Sequence, residues 1–210
     1  MKYFVAGLEL ADLAGAGAQL AAGAVVDAAA VWGMAEREGR ATSDLLADLA
    51  RQAGGPVLVD VAAAGAVEAA LKMTSPGGPV VVRVPYGEEG LAAIRQGVAV
   101  GLRMAAVGCA TPVLALQAAE AGAAWVSPGA GLLSAGAALD EAMTSIRKTA
   151  ALLKSAEVPA QVLVGPVLDA STLIDVAFAG AHAALAPARL LREIGKPLAP
   201  RDGAGRPVGR

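Results

Sequence analysis

The sequence predicts an α/β chain folded as a single (β/α)8 TIM barrel. Three observations carry that reading. Eight short apolar, β-branched runs alternate with Ala-rich stretches of helical length. Glycines stand where several of those stretches should stop. The 210 residues suit one domain and sit near the lower end, roughly 200 residues, for such barrels. An open doubly wound sheet is the competing arrangement, and eight consecutive strand–helix repeats make it the weaker choice.

The first strand is expected at Tyr3–Ala6, followed by an Ala-rich helix over 9–22. The second, Ala24–Ala28, leads to a helix over 41–53 that Gly54–Gly55 should close. The third, Val57–Val61, is followed by a helix over 63–74 and the stop Gly77–Gly78. The fourth, Val80–Val84, precedes a helix over 87–100 ending at Gly101. After Leu102–Val107, Thr111 and Pro112 read as N-cap and first helical residue of a helix over 111–121, with Gly122 beyond it. Ala123–Ser127 leads to a helix over 136–155. Gln161–Val164 leads to one over 170–179 that Asp169 could cap. Ala183–Ala186 precedes the last helix, over 187–194. Gly39 stands at a further helix stop. The barrel is assigned to residues 1–197. Residues 198–210, ending in PRDGAGRPVGR, are expected to form a flexible tail.

Composition excludes several function classes. Hydrophobic residues make up 56% and charged residues 17%, so disorder is not the main state. Nineteen acids against 17 bases give a net charge of -2, which argues against a nucleic-acid binder working through a basic field. The 53 Ala and 26 Gly follow no collagen-like period, so the core is built from Ala, Val and Leu. One cysteine rules out an internal disulfide framework and fits a cytoplasmic location. MKYFVAGLEL lacks the apolar region of a signal peptide. The longest charge-free run, Ala121–Leu139, is interrupted by Pro128 and several glycines, so no membrane contact is expected.

Chemistry in this fold belongs at the C-terminal ends of the strands. Arg83 breaks the apolar run VVVRVP, Asp60 ends VLVD and Asp27 ends AVVD. Period-two alternation lets all three face inward on neighbouring strands, as a charge cluster Asp27–Arg83–Asp60 at the mouth. Two readings stand side by side. The cluster is a mutually satisfied ion network holding the barrel together. Alternatively Arg83 clamps an anion or carbonyl and an aspartate moves protons.

Other candidates carry less. Cys109, ahead of the Thr111 cap, sits where a helix N-terminus can lower a thiol pKa, but a buried inert thiol is the default. The single histidine, His182, opens the last strand and belongs to the opposite end of the barrel. One His and one Cys argue against a zinc site, while carboxylates alone leave magnesium open. No cofactor is implied. Gly15, Gly17 and Gly23 lack the spacing of a phosphate loop; Ser127–Gly131 could form a backbone nest or a plain loop.

VVVRVPYGEEGLAAI, residues 80–94, resembles the transaldolase family, most closely its fructose-6-phosphate aldolase-like branch, which typically reads VVVK(I/V)P and then EGLxAI. AGAAWVSP (121–128), AQVLVGPVL (160–168) and ALAPARLL (184–191) are similar to further family segments. The resemblance implies the barrel fold and class I aldolase chemistry through a Schiff-base lysine on the fourth strand. Arg83 stands at that position, and guanidinium stays protonated and forms no imine. The lysines Lys2, Lys72, Lys148, Lys154 and Lys196 all lie outside the expected strands.

Further positions depart from the family pattern. The strand-one aspartate is Ala6, the strand-two asparagine is Asp27, and the strand-five threonine is apolar near Val107. Leu132, Pro166 and Leu168 replace polar or basic family residues, and Asp60 stands for Glu or Gln. Framework residues Pro85, Gly90, Gly122 and Pro128 match. The family usually forms ring-like oligomers through a C-terminal helix, which PRDGAGRPVGR does not resemble.

Three functions compete. The first is a catalytically silent barrel acting as scaffold, as ligand binder or as partner of an active relative in a hetero-oligomer; a homo-oligomer is the other assembly in view. The second is a lyase or isomerase using Asp27, Asp60 and Arg83 on a small carbonyl or sugar ligand. The third is a residual aldolase or transaldolase using another lysine.

Overall fold

The computed structural model describes residues 1–6, 20–129 and 139–195. Its eight strands are β1 (Lys2–Ala6), β2 (Ala21–Asp27), β3 (Val57–Asp60), β4 (Val80–Pro85), β5 (Arg103–Cys109), β6 (Trp125–Pro128), β7 (Gln161–Val164) and β8 (Ala183–Pro187). They form a closed parallel barrel in sequence order. Pairing from Lys2↔Ala183 to Ala6↔Pro187 shuts the ring.

The described helices are α1 (Ala28–Glu38), α2 (Thr42–Gln52), α3 (Ala66–Met73), α4 (Glu88–Ala99), α5 (Pro112–Glu120), α6 (Leu139–Ser155), α7 (Ala170–Phe178) and α8 (Ala188–Ile194). The two expected caps form. Thr111 Oγ1 accepts from Leu114 N at 3.3 Å, and Asp169 Oδ1 accepts from Thr172 N at 2.8 Å. The Ser171 hydroxyl, with both donors of Thr172, holds the Asp169 carboxyl down at about 2.

The largest departure from expectation is α1. Ala28, read as a strand residue, begins a helix instead. Asp27 Oδ1 accepts from Ala29 N and Ala30 N at 2.9 and 3.2 Å, stopping β2 and starting α1. Gly39 closes it at φ 62, with its N–H reaching the Ala35 and Glu36 carbonyls. The strand shifts the other way and begins at Ala21, inside the helix expected over 9–22. Residues 9–19 of that helix, 136–138 of the sixth and the tail 198–210 lie outside the described residues. Helix α3 starts at Ala66 rather than 63, after Gly65 turns left-handed at φ 71. Strand β6 starts at Trp125 rather than Ala123, because Ala123 N still closes the end of α5 on Ala118 O.

Alternation sorts each strand into two cores. Val26, Val57, Val59, Val82 and Val84 face outward and pack with helix residues such as Leu45, Leu49 and Ile94. Phe4, Val25, Leu58, Val81, Ala105, Trp125, Leu163, Ala183 and Leu185 fill the inside. Phe4 and Trp125 meet edge to face across the barrel, centroids 5.5 Å apart at 77°. Each fully buried Leu or Phe contributes about 1.5–3 kcal/mol. Helix α4 presses close through Gly90 and Gly97: a Cβ at Gly90 would overlap the Pro85 carbonyl, and one at Gly97 the Met104 side chain. Among the described residues, no helix is long and apolar enough to cross a membrane.

Candidate functional site

The inward positions continue into a charged layer at the C-terminal ends of β2, β3 and β4. Asp27 pairs in register with Asp60, and Asp60 with Arg83. Arg83 continues in register to the interior residue Ala105. Neighbours in register share a face, so this layer sits directly above Val25, Leu58 and Val81.

Arg83 is buried, only 7% exposed. Its Nε lies 3.0 Å from Asp60 Oδ1, while the Asp60 side chain is 42% exposed. The approach is an ion pair without hydrogen-bond alignment: Nε and Nη1 are sealed from solvent and make no hydrogen bond. Burial dominates both partners. It pushes the Asp60 carboxyl above the usual carboxylate range, with Arg83 pulling down and Asp27 adding upward. It pulls Arg83 below its ordinary value despite the Asp60 charge. The guanidinium nevertheless stays protonated at any working pH.

The expected three-charge network is thus a pair plus a neighbour. Asp27 is exposed and spends its Oδ1 on the α1 cap, so it reaches Asp60 only through its field. The cap matters for placing that charge, because helix α1 fixes the carboxylate beside the mouth. Sequence reading found Asp27 as a strand-end acid and missed its capping role. The signal was present in Asp27–Ala28–Ala29–Ala30 with Gly39 a helix length later.

The remaining candidates separate from this pair. Cys109 ends β5 fully buried. Burial raises its thiol to about 12, against the Ser127 backbone N–H, so the helix-activated reading is overturned. His182 precedes β8 at the N-terminal end, where Nδ1 accepts from Val162 N at 3.1 Å. Gly23 lies inside β2, not in a phosphate loop, and its φ of 155 brings it against Phe4. Of the Ser127–Gly131 turn, Gly129 N bonds back to Cys109 O at 3.1 Å. Gly15, Gly17, Ala130, Gly131, Leu132 and Lys196 lie outside the described residues.

The described lysines stand away from the mouth. Lys2 opens β1, which corrects the expectation that every lysine lies outside the strands, but it is exposed at the N-terminal end. Lys72 on α3 pairs with Glu68 at 2.8 Å, and Lys148 and Lys154 are exposed on α6. Among the described residues, no three His, Cys, Asp or Glu are grouped so as to hold a metal ion. Surface clefts formed by the described residues lie elsewhere. One of about 490 Å³ adjoins His182 and Lys154. An apolar one of about 460 Å³ lies between Met1, Ile174 and Phe178.

No family model matches the chain. Individual relatives do. A probable transaldolase of Anaeromyxobacter dehalogenans (strain 2CP-C) is 27% identical over 199 residues, covering 93% of this chain and 89% of the relative. One from Desulfatibacillum aliphaticivorans is 28% identical over 166 residues, 77% of each chain. One from Desulfotalea psychrophila (strain LSv54 / DSM 12343) is 31% identical over 166 residues, 76% of this chain and 75% of the relative. That identity, held over three quarters of both sequences and joined to the closed eight-stranded barrel, shows that the chain belongs to the transaldolase family.

Proposed function

We propose that this barrel is a member of the fructose-6-phosphate aldolase-like branch that has lost Schiff-base chemistry. It is catalytically silent or repurposed within carbohydrate metabolism, in the cytoplasm. The observation that carries the reading is Arg83. In VVVRVP it occupies the position at which the resembling segment has its lysine, and it is buried at the barrel mouth against Asp60. A lysine there would need desolvation to free its amine as nucleophile. The surroundings supply that desolvation, but a guanidinium has no lone pair to offer at neutral pH. The described lysines are exposed to solvent and lack the desolvation that such a nucleophile needs. The oligomer, with itself or with an active relative, is part of the same proposal.

A second reading has one observation in its favour. Asp60 is a carboxyl whose proton affinity is raised by burial, beside a guanidinium with unused donors. That pairing suits lyase or isomerase chemistry on a small carbonyl compound, with Asp60 or Asp27 as base and Arg83 holding the developing oxyanion.

Borohydride trapping with dihydroxyacetone and with fructose 6-phosphate, read by intact mass, tests the proposal on wild type and on Arg83→Lys. The expected result is no adduct on wild type and an adduct on Arg83→Lys. An adduct on wild type would overturn it and restore a residual aldolase using another lysine.

A further inference from the structure

His182, the residue before β8, joins three strands at the N-terminal rim of the barrel. Its N–H donates to Val162 O at 2.9 Å, and its carbonyl accepts from Lys2 N at 3.0 Å, where β1 and β8 shut the ring. Its Nδ1 accepts from Val162 N at 3.1 Å. His182 thus meets both backbone groups of Val162, and an imidazole finishes the ladder where a backbone carbonyl would ordinarily stand. The ladder has little to spare there, because β7 runs in register with β8 at Leu163↔Ala183 and Val164↔Ala184.

An imidazole nitrogen accepts a hydrogen bond only while it carries no hydrogen. Nδ1 is therefore bare, and the ring hydrogen sits on Nε2. Protonation places a hydrogen on Nδ1 and sets donor against donor at Val162. The ring is exposed and lines the cleft of about 490 Å³, so protons reach it. The charged residue facing it there is Lys154 of α6, a cation, and α7 is followed by Gly180 on the same wall. Lys2, a second cation, stands on β1 beside the His182 carbonyl. Glu157, in the turn after α6, is exposed and outside the lining, so no described carboxylate in the cleft holds a proton on the ring. Burial acts in the same direction and lowers the imidazole below its ordinary value.

We infer that His182 is an acid-sensitive latch at the closing seam of the barrel: when its ring takes up a proton, Val162 loses its acceptor and the edge between β7 and β8 loosens at the N-terminal rim. The unfolded chain binds this proton more readily than the folded one. The latch therefore stabilises fully above the ordinary histidine value of about 6.5 and is lost as pH falls through the folded one.

The chain has one histidine, so its ring signals are unambiguous. NMR of the ring nitrogens in the full chain, from about pH 7.5 to about pH 5, reads the tautomer and the titration. Hydrogen exchange of the Val162 amide, corrected for its intrinsic rate, reads the latch. The expected result is hydrogen on Nε2 at the upper end, a midpoint below about 6.5, and Val162 protection that falls about tenfold or more through it. Val82 on β4, across the ring of strands, keeps its protection. His182→Gln, which does not titrate, shows no such fall; if it fails to fold, the wild-type measurements decide alone. Hydrogen on Nδ1 at the upper end overturns the inference, as does a midpoint at or above about 6.5. So does unchanged Val162 protection, or an equal fall at Val82, which marks loss of the whole fold rather than release of a latch.

Discussion

Asp60 is held in a compromise that pH can expose. Its carboxyl is pushed above the usual range chiefly by burial, and the Arg83 charge only partly offsets that cost. A carboxyl with a raised folded-state pKa stabilises the fold most when protonated. The contribution is fully present below the ordinary aspartate value and is lost as pH rises through the folded one. Asp60→Asn removes this dependence. At pH 7 the variant should unfold in urea within about 1 kcal/mol of wild type, because the carboxylate is 42% exposed and the lost attraction is screened. Toward about pH 4 the wild type should gain on the variant. A loss of about 3–5 kcal/mol at pH 7, the cost of breaking a fully buried pair, would show that the ion pair outweighs its desolvation.

Helix α4 places the mouth because it is clamped to the barrel at Gly90. A Cβ there would run into the Pro85 carbonyl, two residues beyond Arg83. Backbone cannot give way as a flexible side chain can, so Gly90→Ala should cost about 1–3 kcal/mol in a denaturant melt. Gly33, inside α1, is the contrasting site: nothing lies within 4 Å of an added Cβ. Gly33→Ala should stabilise the chain by about 0.5–1 kcal/mol through helix propensity and a less free unfolded state. Equal losses at both positions would rule out the close approach of α4 as the cause. The same elements show where sequence reading ran short. The apolar run through Val25 and Val26 resumes after Asp27 in Ala28–Ala30, so hydrophobicity marks the switch from strand to helix by that single charge alone. Only the Asp27 side chain, competing for backbone donors, makes that switch.

At the scale of the whole molecule, the barrel was legible because parallel strands bury both faces and so appear as unbroken Val- and Leu-rich runs. Arg83 and Asp60 were legible for the same reason, as charges interrupting such runs. Their pairing was also readable from strand order. Which donors stay unused was not, since that depends on angles between side chains. The contact between Phe4 and Trp125 has a consequence of its own. These rings stand on β1 and β6, far apart in the sequence, and meet inside the ring of strands. Trp125 is 8% exposed, whereas the second indole, Trp32, is 41% exposed on α1. With Trp32→Phe, the remaining indole becomes a fluorescent witness placed inside the cylinder. Its emission should turn blue only when the barrel interior around β1 and β6 has packed, so stopped-flow refolding of that variant times the formation of that interior directly.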